Sequence, residues 1–261
     1  MTAVIARTAV VPVYANPSLR AEQTTQFVLG ETARVLEAEA EWRKVRSDLE
    51  QYVGWVHAGY CAEMEDAAVD AWRRSANAWS RGAVALVGTT RVPLPLRARV
   101  AQDGDAVCLP GGTRARLLEG DVVPAAQAIA AARSVSPECW AAECFAGAPY
   151  QWGGVTPWGV DCSGLVQTTF LARGTMLPRD SADQAACGTA AAFDAIRPGD
   201  LLFFRGETTE RITHVAFAGE GDALVHSTVS LGGMVCESWA PGSRAAYLRE
   251  RLVAVRRLES R

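Results

Sequence analysis

The chain has 261 residues, enough for one to three domains with a real buried core. It is 49% hydrophobic and 21% charged, with a formal net charge of −3 and no block of like charges. That balance gives no electrostatic footing for nucleic acid or an anionic membrane, and no apolar run approaches the roughly 18–20 residues of a membrane span.

The N-terminus reads "MTAVIARTAVVPVYANPS". Arg7 and Thr8 interrupt its apolar residues and Pro12 follows, so no secretory signal is legible and a cytoplasmic location is expected. Residues 1–61 then read as short strands. "VVPVY" precedes the turn "ANPS", "ARVLEAE" and "EWRKVRS" alternate apolar and polar residues, and "YVGWVH" follows. This spacing suggests a small antiparallel barrel. Residues 62–81 contain no Gly or Pro and are expected to form a linker helix, with Ala67, Ala71, Arg74 and Ala78 on one face. Residues 82–123 turn β-rich again, punctuated by "DGD" and "PGG".

From about residue 124 the periodicity changes. "PAAQAIAAARSV" and "PECWAAECFAG" read as helices with Pro near the start. The loop "APYQWGGVTPWGV" leads to a helix from Cys162 to about Ala172, and "SADQAAC" suggests another. "DLLFFRG", "HVAFAGE", "ALVHSTV" and "MVCESW" read as strands. Helices first and antiparallel strands after is an α+β order.

Seven cysteines, none in a C-x-x-C pair, read as reduced thiols. His57 with Cys61, and Cys139 with Cys144, lack a second half at zinc spacing, so no metal is expected. Cys162 differs from the other six. Gly159 breaks the chain before it and a helix begins at it, so free helix N–H groups would face the sulfur and lower its pKa. A base is then required. His214 opens one strand and His226 ends the next, with the turn "GEGD" between. Hairpin pairing would bring the two rings together as base and orienter. His57, in "GWVHAGY", reads as structural.

Together "PYQWGG", "DCSGLVQ", "LPRDSADQ", "RPGDLLFF" and "HVAFAGEGDALVHS" resemble the NlpC/P60 family of papain-like cysteine peptidases over about residues 124–258. The "WRKV" and "GWV" strands, Trp42–Val45 and Gly54–Val56, resemble a bacterial SH3 domain, and residues 82–123 look like a second, divergent one. The resemblance implies an α+β chain: an NlpC/P60 domain at 124–261 behind two small SH3-like barrels, 1–61 and 82–123. It implies Cys162 as nucleophile, His214 as general base and His226 as the polar third residue, without metal or organic cofactor.

That domain order resembles γ-D-glutamyl-L-diamino acid endopeptidases of the dipeptidyl-peptidase type. These hold the free amine of L-Ala-γ-D-Glu and cut after D-Glu, so the expected partner is a murein-derived peptide, in recycling rather than wall remodelling. An ammonium in a cleft needs acids and acceptors around it. Asp161, Ser163, Asp180 and Tyr150 are the candidates, with Tyr52, or its competitor Tyr60, from the first barrel. Each also has an ordinary structural use. Asp161 or Ser163 would cap the helix at Cys162, Asp180 or Ser181 would cap "SADQAA", and Tyr150 would pack as a core aromatic. The competing functions are a broader wall endopeptidase or amidase, and a non-catalytic wall-peptide-binding protein.

Overall fold

The computed structural model describes residues 2–104 and 106–258, which leaves Asp105 of the expected "DGD" turn outside the described residues. The chain divides into two compact units, Met1–Ala128 and Ile129–Arg261.

The N-terminal unit holds two seven-stranded antiparallel sheets. The first contains β1 (Thr2–Ala6), β2 (Val10–Tyr14), β3 (Gln23–Val28), β4 (Thr32–Glu39), β5 (Trp42–Ser47), β6 (Val53–His57) and β7 (Cys61–Glu65), in the order β3-β2-β6-β5-β4-β1-β7. After α1 (Asp66–Ser75) come β8 (Ala78–Ser80), β9 (Ala83–Val87), β10 (Thr90–Leu94), β11 (Arg99–Asp103), β12 (Ala106–Leu109), β13 (Thr113–Glu119) and β14 (Val122–Pro124). Their order, β10-β9-β13-β12-β11-β8-β14, repeats that of the first sheet strand for strand. Neither sheet is a closed barrel. In the first, β7 pairs only along the outer side of β1 and then runs into α1, so β3 and β7 remain the two edges.

The linker helix expected over 62–81 is shorter. "CAEME" alternates in burial as a strand and extends the first sheet, while Ala78–Ser80 enters the second. The ten-residue α1 buries Val69 and Trp72 instead of the expected alanine face, and packs them on Ala3 and Ile5 of β1. β1 therefore buries both faces, since its alternate residues Val4 and Ala6 join the core formed with Val11, Val13, Phe27, Val45 and Val56. The two sheets approach closely at Gly30, whose φ is +84°. A Cβ there would sit 2.2 Å from the Arg99 carbonyl oxygen, so only glycine fits. The buried Glu31–Arg97 ion pair and the Trp72 indole N–H on the Gly30 carbonyl, at 2.8 Å, fasten the same junction.

α2 (Ala125–Arg133) and α3 (Pro137–Cys144) lead to the hairpin β15 (Val155–Thr156) and β16 (Gly159–Val160). α4 (Cys162–Ala172) follows and is buried along its whole length. It runs over the residues expected because Asp161 caps its start and the chain turns at Gly174, whose φ is +77°. The helix expected at "SADQAAC" is a single turn, α5 (Ser181–Gln184).

The C-terminal unit's sheet contains β17 (Thr189–Ala190), β18 (Leu201–Arg205), β19 (Ile212–Ala218), β20 (Ala223–Thr228), β21 (Gly233–Ser238) and β22 (Leu252–Arg257), in the order β17-β22-β18-β19-β20-β21. α4 packs on β19 and β20, with the Phe170 and Phe217 rings 6.0 Å apart. Leu202, Phe204, Ala216, Leu224 and Val255 pack with Trp239, Ala245 and Leu248, the last two on the 3-10 stretch Arg244–Arg251. The middle of the sheet is thus covered on both faces, and β19 lies against α4.

Candidate active site

Cys162 is the first residue of α4 and is 8% exposed. Its position is fixed by what surrounds the helix start. Asp161 accepts the Gly164 N–H at 2.7 Å and the Gly153 N–H at 2.8 Å. It also pairs with the buried Arg179 at 2.5 Å, and Arg179 reaches the Ser163 hydroxyl at 2.7 Å. Gln184 donates to the Ser163 and Pro178 carbonyls at 3.0 and 2.9 Å, which ties the Arg179 segment to α4. Gly164 permits the close approach of the preceding loop, because a Cβ there would lie 2.1 Å from the Gly154 carbonyl oxygen.

The expected depression of the Cys162 pKa is reversed. Burial, and then the Asp161 charge, push the thiol up to about 12. The backbone N–H groups of Val215 and Ser163, together with Arg179, pull the other way without prevailing. The helix N-terminus does act on the sulfur, but removal from water is the larger effect.

Val215 places β19 against the sulfur, and His214 immediately precedes it. The β19–β20 ladder pairs Phe217 with Val225 and Ala218 with Leu224. Continued in that register, it sets His226 opposite Ala216, with His214 one step along on the same face. The rings meet there. His214 Nε2 lies 2.7 Å from His226 Nδ1, and the ring centroids are 5.0 Å apart. Phe204 stacks on the other side of His214 at 5.8 Å. Burial, and then the adjacent His226 ring, push the His214 pKa down to about 3. Burial also lowers that of His226, against the opposing effect of its hydrogen bond to the Glu237 carboxylate. Burial thus disfavours the charged form of both rings.

Tyr150 is half-buried, and its N–H donates to the Gly232 carbonyl at 2.8 Å. Burial raises its phenol pKa, with further upward pressure from Cys162 and Asp161, so the hydroxyl remains protonated beside the nucleophile. Asp180 is exposed at the start of α5, and its carbonyl, not its carboxylate, accepts the Asp183 and Gln184 N–H groups. Cys162, Asp161, Ser163 and Tyr150 therefore form one cluster, and His214 and His226 pair beside it. Tyr52 lies in the N-terminal unit just before β6, where its carbonyl accepts the Ser47 N–H. Tyr60, in the same unit, has its ring 6.1 Å from that of His57.

Three neighbours had no place in the sequence reading. Arg179 stands beside Asp180 in "LPRDSADQ", and a buried arginine needs an acid partner. Glu237 shares a strand face with Val235, the partner of His226 on β21, and receives the His226 Nε2 at 2.9 Å. Strand alternation in "MVCESW" carried that signal. Arg244 then holds Glu237 from the 3-10 stretch, at 2.8 Å through Nε. Among the described residues no group of three or more His, Cys, Asp or Glu could hold a metal ion. No described helix is long and apolar enough to cross a membrane.

Comparison with known proteins agrees with this geometry. Residues 147–257 match the model of the NlpC/P60 family, and residues 13–59 match that of the bacterial dipeptidyl-peptidase SH3 domain. A γ-D-glutamyl-L-lysine dipeptidyl-peptidase of Bacillus subtilis is 43% identical over 84 residues, 32% of this chain and 28% of its own. A probable endopeptidase NlpC of Escherichia coli is 39% identical over 89 residues, 34% of this chain and 58% of its own. The matched part thus spans between about a quarter and somewhat over half of such relatives' length. In fold, an NlpC/P60 family protein from Bacillus cereus superposes with a TM-score of 0.76 at 19% identity, over 98% of this chain and 99% of the other.

Proposed function

We propose that this chain, which carries an NlpC/P60 family domain behind a bacterial dipeptidyl-peptidase SH3 domain, is a cysteine peptidase. Its substrate in this reading is a murein peptide with a free N-terminal L-Ala, cut at the γ-D-Glu–L-diamino acid bond. The observation that carries the reading is a thiol at a helix N-terminus beside a strand that holds one half of a hydrogen-bonded imidazole pair.

The chemistry follows from that arrangement. His214 Nε2 is engaged by His226, which leaves Nδ1 for the thiol proton. As Cys162 loses the proton to Nδ1, its sulfur attacks the γ-carbonyl carbon of D-Glu. The oxyanion that forms meets the free N–H groups at the start of α4. The bond to the diamino acid nitrogen then breaks, and that nitrogen takes the proton from His214. Water, deprotonated by the same ring, hydrolyses the thioester and returns the thiol.

For the amine, the reading assigns Asp180 as counter-charge and the protonated Tyr150 hydroxyl as a neighbouring polar group. Asp161 and Ser163 contribute by holding the nucleophile's helix start, since Arg179 and two backbone N–H groups already occupy the Asp161 carboxylate. That occupancy also favours a second reading, a broader wall endopeptidase with no amine requirement. The repeated strand order of the second sheet supports its reading as a second SH3-like module. A free L-Ala amine exists only on peptides already detached from the glycan, which, with seven free thiols, supports a recycling role in the cytoplasm.

The test compares kcat/KM for L-Ala-γ-D-Glu-diaminopimelate with its N-acetyl form. Acetylation removes the charge that Asp180 would face, so the acetylated peptide is expected to be the slower substrate. Equal values would remove the amine pocket and leave the broader endopeptidase.

A further inference from the structure

Glu237 has no part in the reaction sketched above, yet it terminates the chain of rings that begins at the nucleophile. Its Oε1 receives His226 Nε2 at 2.9 Å. Arg244 donates to both carboxylate oxygens, through Nε to Oε2 at 2.8 Å and through Nη2 to Oε1. Arg244 also reaches the Ser230 hydroxyl at 3.2 Å. The carboxylate is mostly buried, with 13% of its side chain exposed, and His226 is 2% exposed.

The donor and acceptor inventory then leaves one arrangement of protons. An ionised carboxylate only accepts, and an arginine only donates. His226 must therefore carry its proton on Nε2. As a neutral ring, it can only accept at Nδ1. His214 must then donate from Nε2, which leaves its Nδ1 without a proton. Burial works against ionisation of Glu237, but the hydrogen bonds from Arg244 and His226 outweigh it and hold the carboxyl below its usual range.

We infer that Glu237, clamped by Arg244, is a positioning residue that fixes the tautomers of His226 and His214 in series and so keeps His214 Nδ1 open to the thiol proton. This rests on the reading of Cys162 as nucleophile and His214 as base. It extends the relay two residues beyond the histidine pair. Without the carboxylate, His226 is free to place its proton on Nδ1. His214 Nε2 would then accept, its own proton would move to Nδ1, and the base would be blocked. Glu237→Gln promotes this outcome most directly, because its amide N–H₂ can donate to His226 Nε2.

The chain contains three histidines, so 15N-labelled histidine allows each ring's tautomer to be assigned by NMR. In the wild type, His214 and His226 are both expected as Nε2–H tautomers. In Glu237→Gln and Glu237→Ala, His226 should populate the Nδ1–H form and His214 should follow. Loss of a charged hydrogen bond's preference should then slow iodoacetamide alkylation of Cys162, followed by peptide mapping, by about 10–100-fold. On a murein peptide, kcat should fall by a similar factor while KM stays constant. An unchanged His57 signal and circular dichroism spectrum in Glu237→Gln verify the fold. Unaltered tautomers in both variants would overturn the inference, whatever happens to kcat. Altered tautomers with wild-type alkylation would overturn it equally. If the wild type cleaves no murein peptide, the substrate reading fails, while tautomers and alkylation still decide the role of Glu237.

Discussion

Arg179 is the side chain whose loss should reveal most about how the nucleophile is held. It and Asp161 form a buried pair, with 2% and 8% of their side chains exposed. Arg179→Met keeps much of the volume and deletes the charge. Breaking a buried ion pair from one side costs about 3–5 kcal/mol, because the remaining charge is stranded. Asp161 would not be wholly stranded, since the Gly153 and Gly164 N–H groups remain at 2.8 and 2.7 Å. The loss should therefore fall near the lower end, about 3 kcal/mol. For a unit of this size that is a fall in Tm of about 10 °C. A second effect reaches the nucleophile itself. The Asp161 charge raises the Cys162 pKa and Arg179 lowers it, so an unneutralised Asp161 should raise it further. Alkylation of Cys162 should slow in Arg179→Met. Calorimetry on Arg179→Met, Asp161→Asn and the double variant measures the coupling, which should exceed about 1 kcal/mol. Additive changes, or a Tm within about 2 °C of the wild type, would refute the idea that this pair sets the helix start.

Two further outcomes concern the same region. Gly164→Ala places a Cβ 2.1 Å from the Gly154 carbonyl oxygen, so the loop or α4 must shift. A loss of about 1–3 kcal/mol is expected in urea unfolding, together with slower alkylation of Cys162; wild-type values would show that the close approach is unimportant. The buried histidines also make stability depend on pH. His214 is depressed to about 3 and His226 is depressed as well, whereas unfolded histidine titrates near 6.5. The His214 contribution is complete above about pH 6.5 and is lost as pH falls from there toward about 3, and His226 acts in the same direction. Urea midpoints between pH 7 and 4 should fall more steeply in the wild type than in His214→Ala, and parallel curves would contradict the depression.

Much of this architecture is visible in the sequence where local signals act alone. α4 could be bounded because an acid cap precedes Cys162 and Gly174 stops the chain after Arg173. The hairpin of β19 and β20 followed from two apolar runs around "GEGD". Where partner choice is tertiary, the sequence is silent. Ala- and Glu-rich "CAEMEDAAVDAW" suits a helix locally, but β1 recruits its first residues as a strand. The Cys162 pKa was misjudged because helix dipoles can be read from sequence whereas burial cannot. Arg179 and Glu237 lie in or beside recognisable segments, yet only the folded chain shows that one neutralises Asp161 and the other receives His226. The repeat of strand order between the two N-terminal sheets is a property of backbone topology that their differing residues conceal.

The central claim is that Cys162 attacks the γ-carbonyl of D-Glu. It is tested most directly by mass spectrometry of L-Ala-γ-D-Glu-diaminopimelate incubated with the wild type and with Cys162→Ala. The expected result is release of L-Ala-D-Glu and diaminopimelate by the wild type, with quenched reactions containing an L-Ala-γ-D-Glu adduct on Cys162, and neither product nor adduct with Cys162→Ala. Product formation by Cys162→Ala at the wild-type rate, or an adduct on another residue, would contradict the assignment.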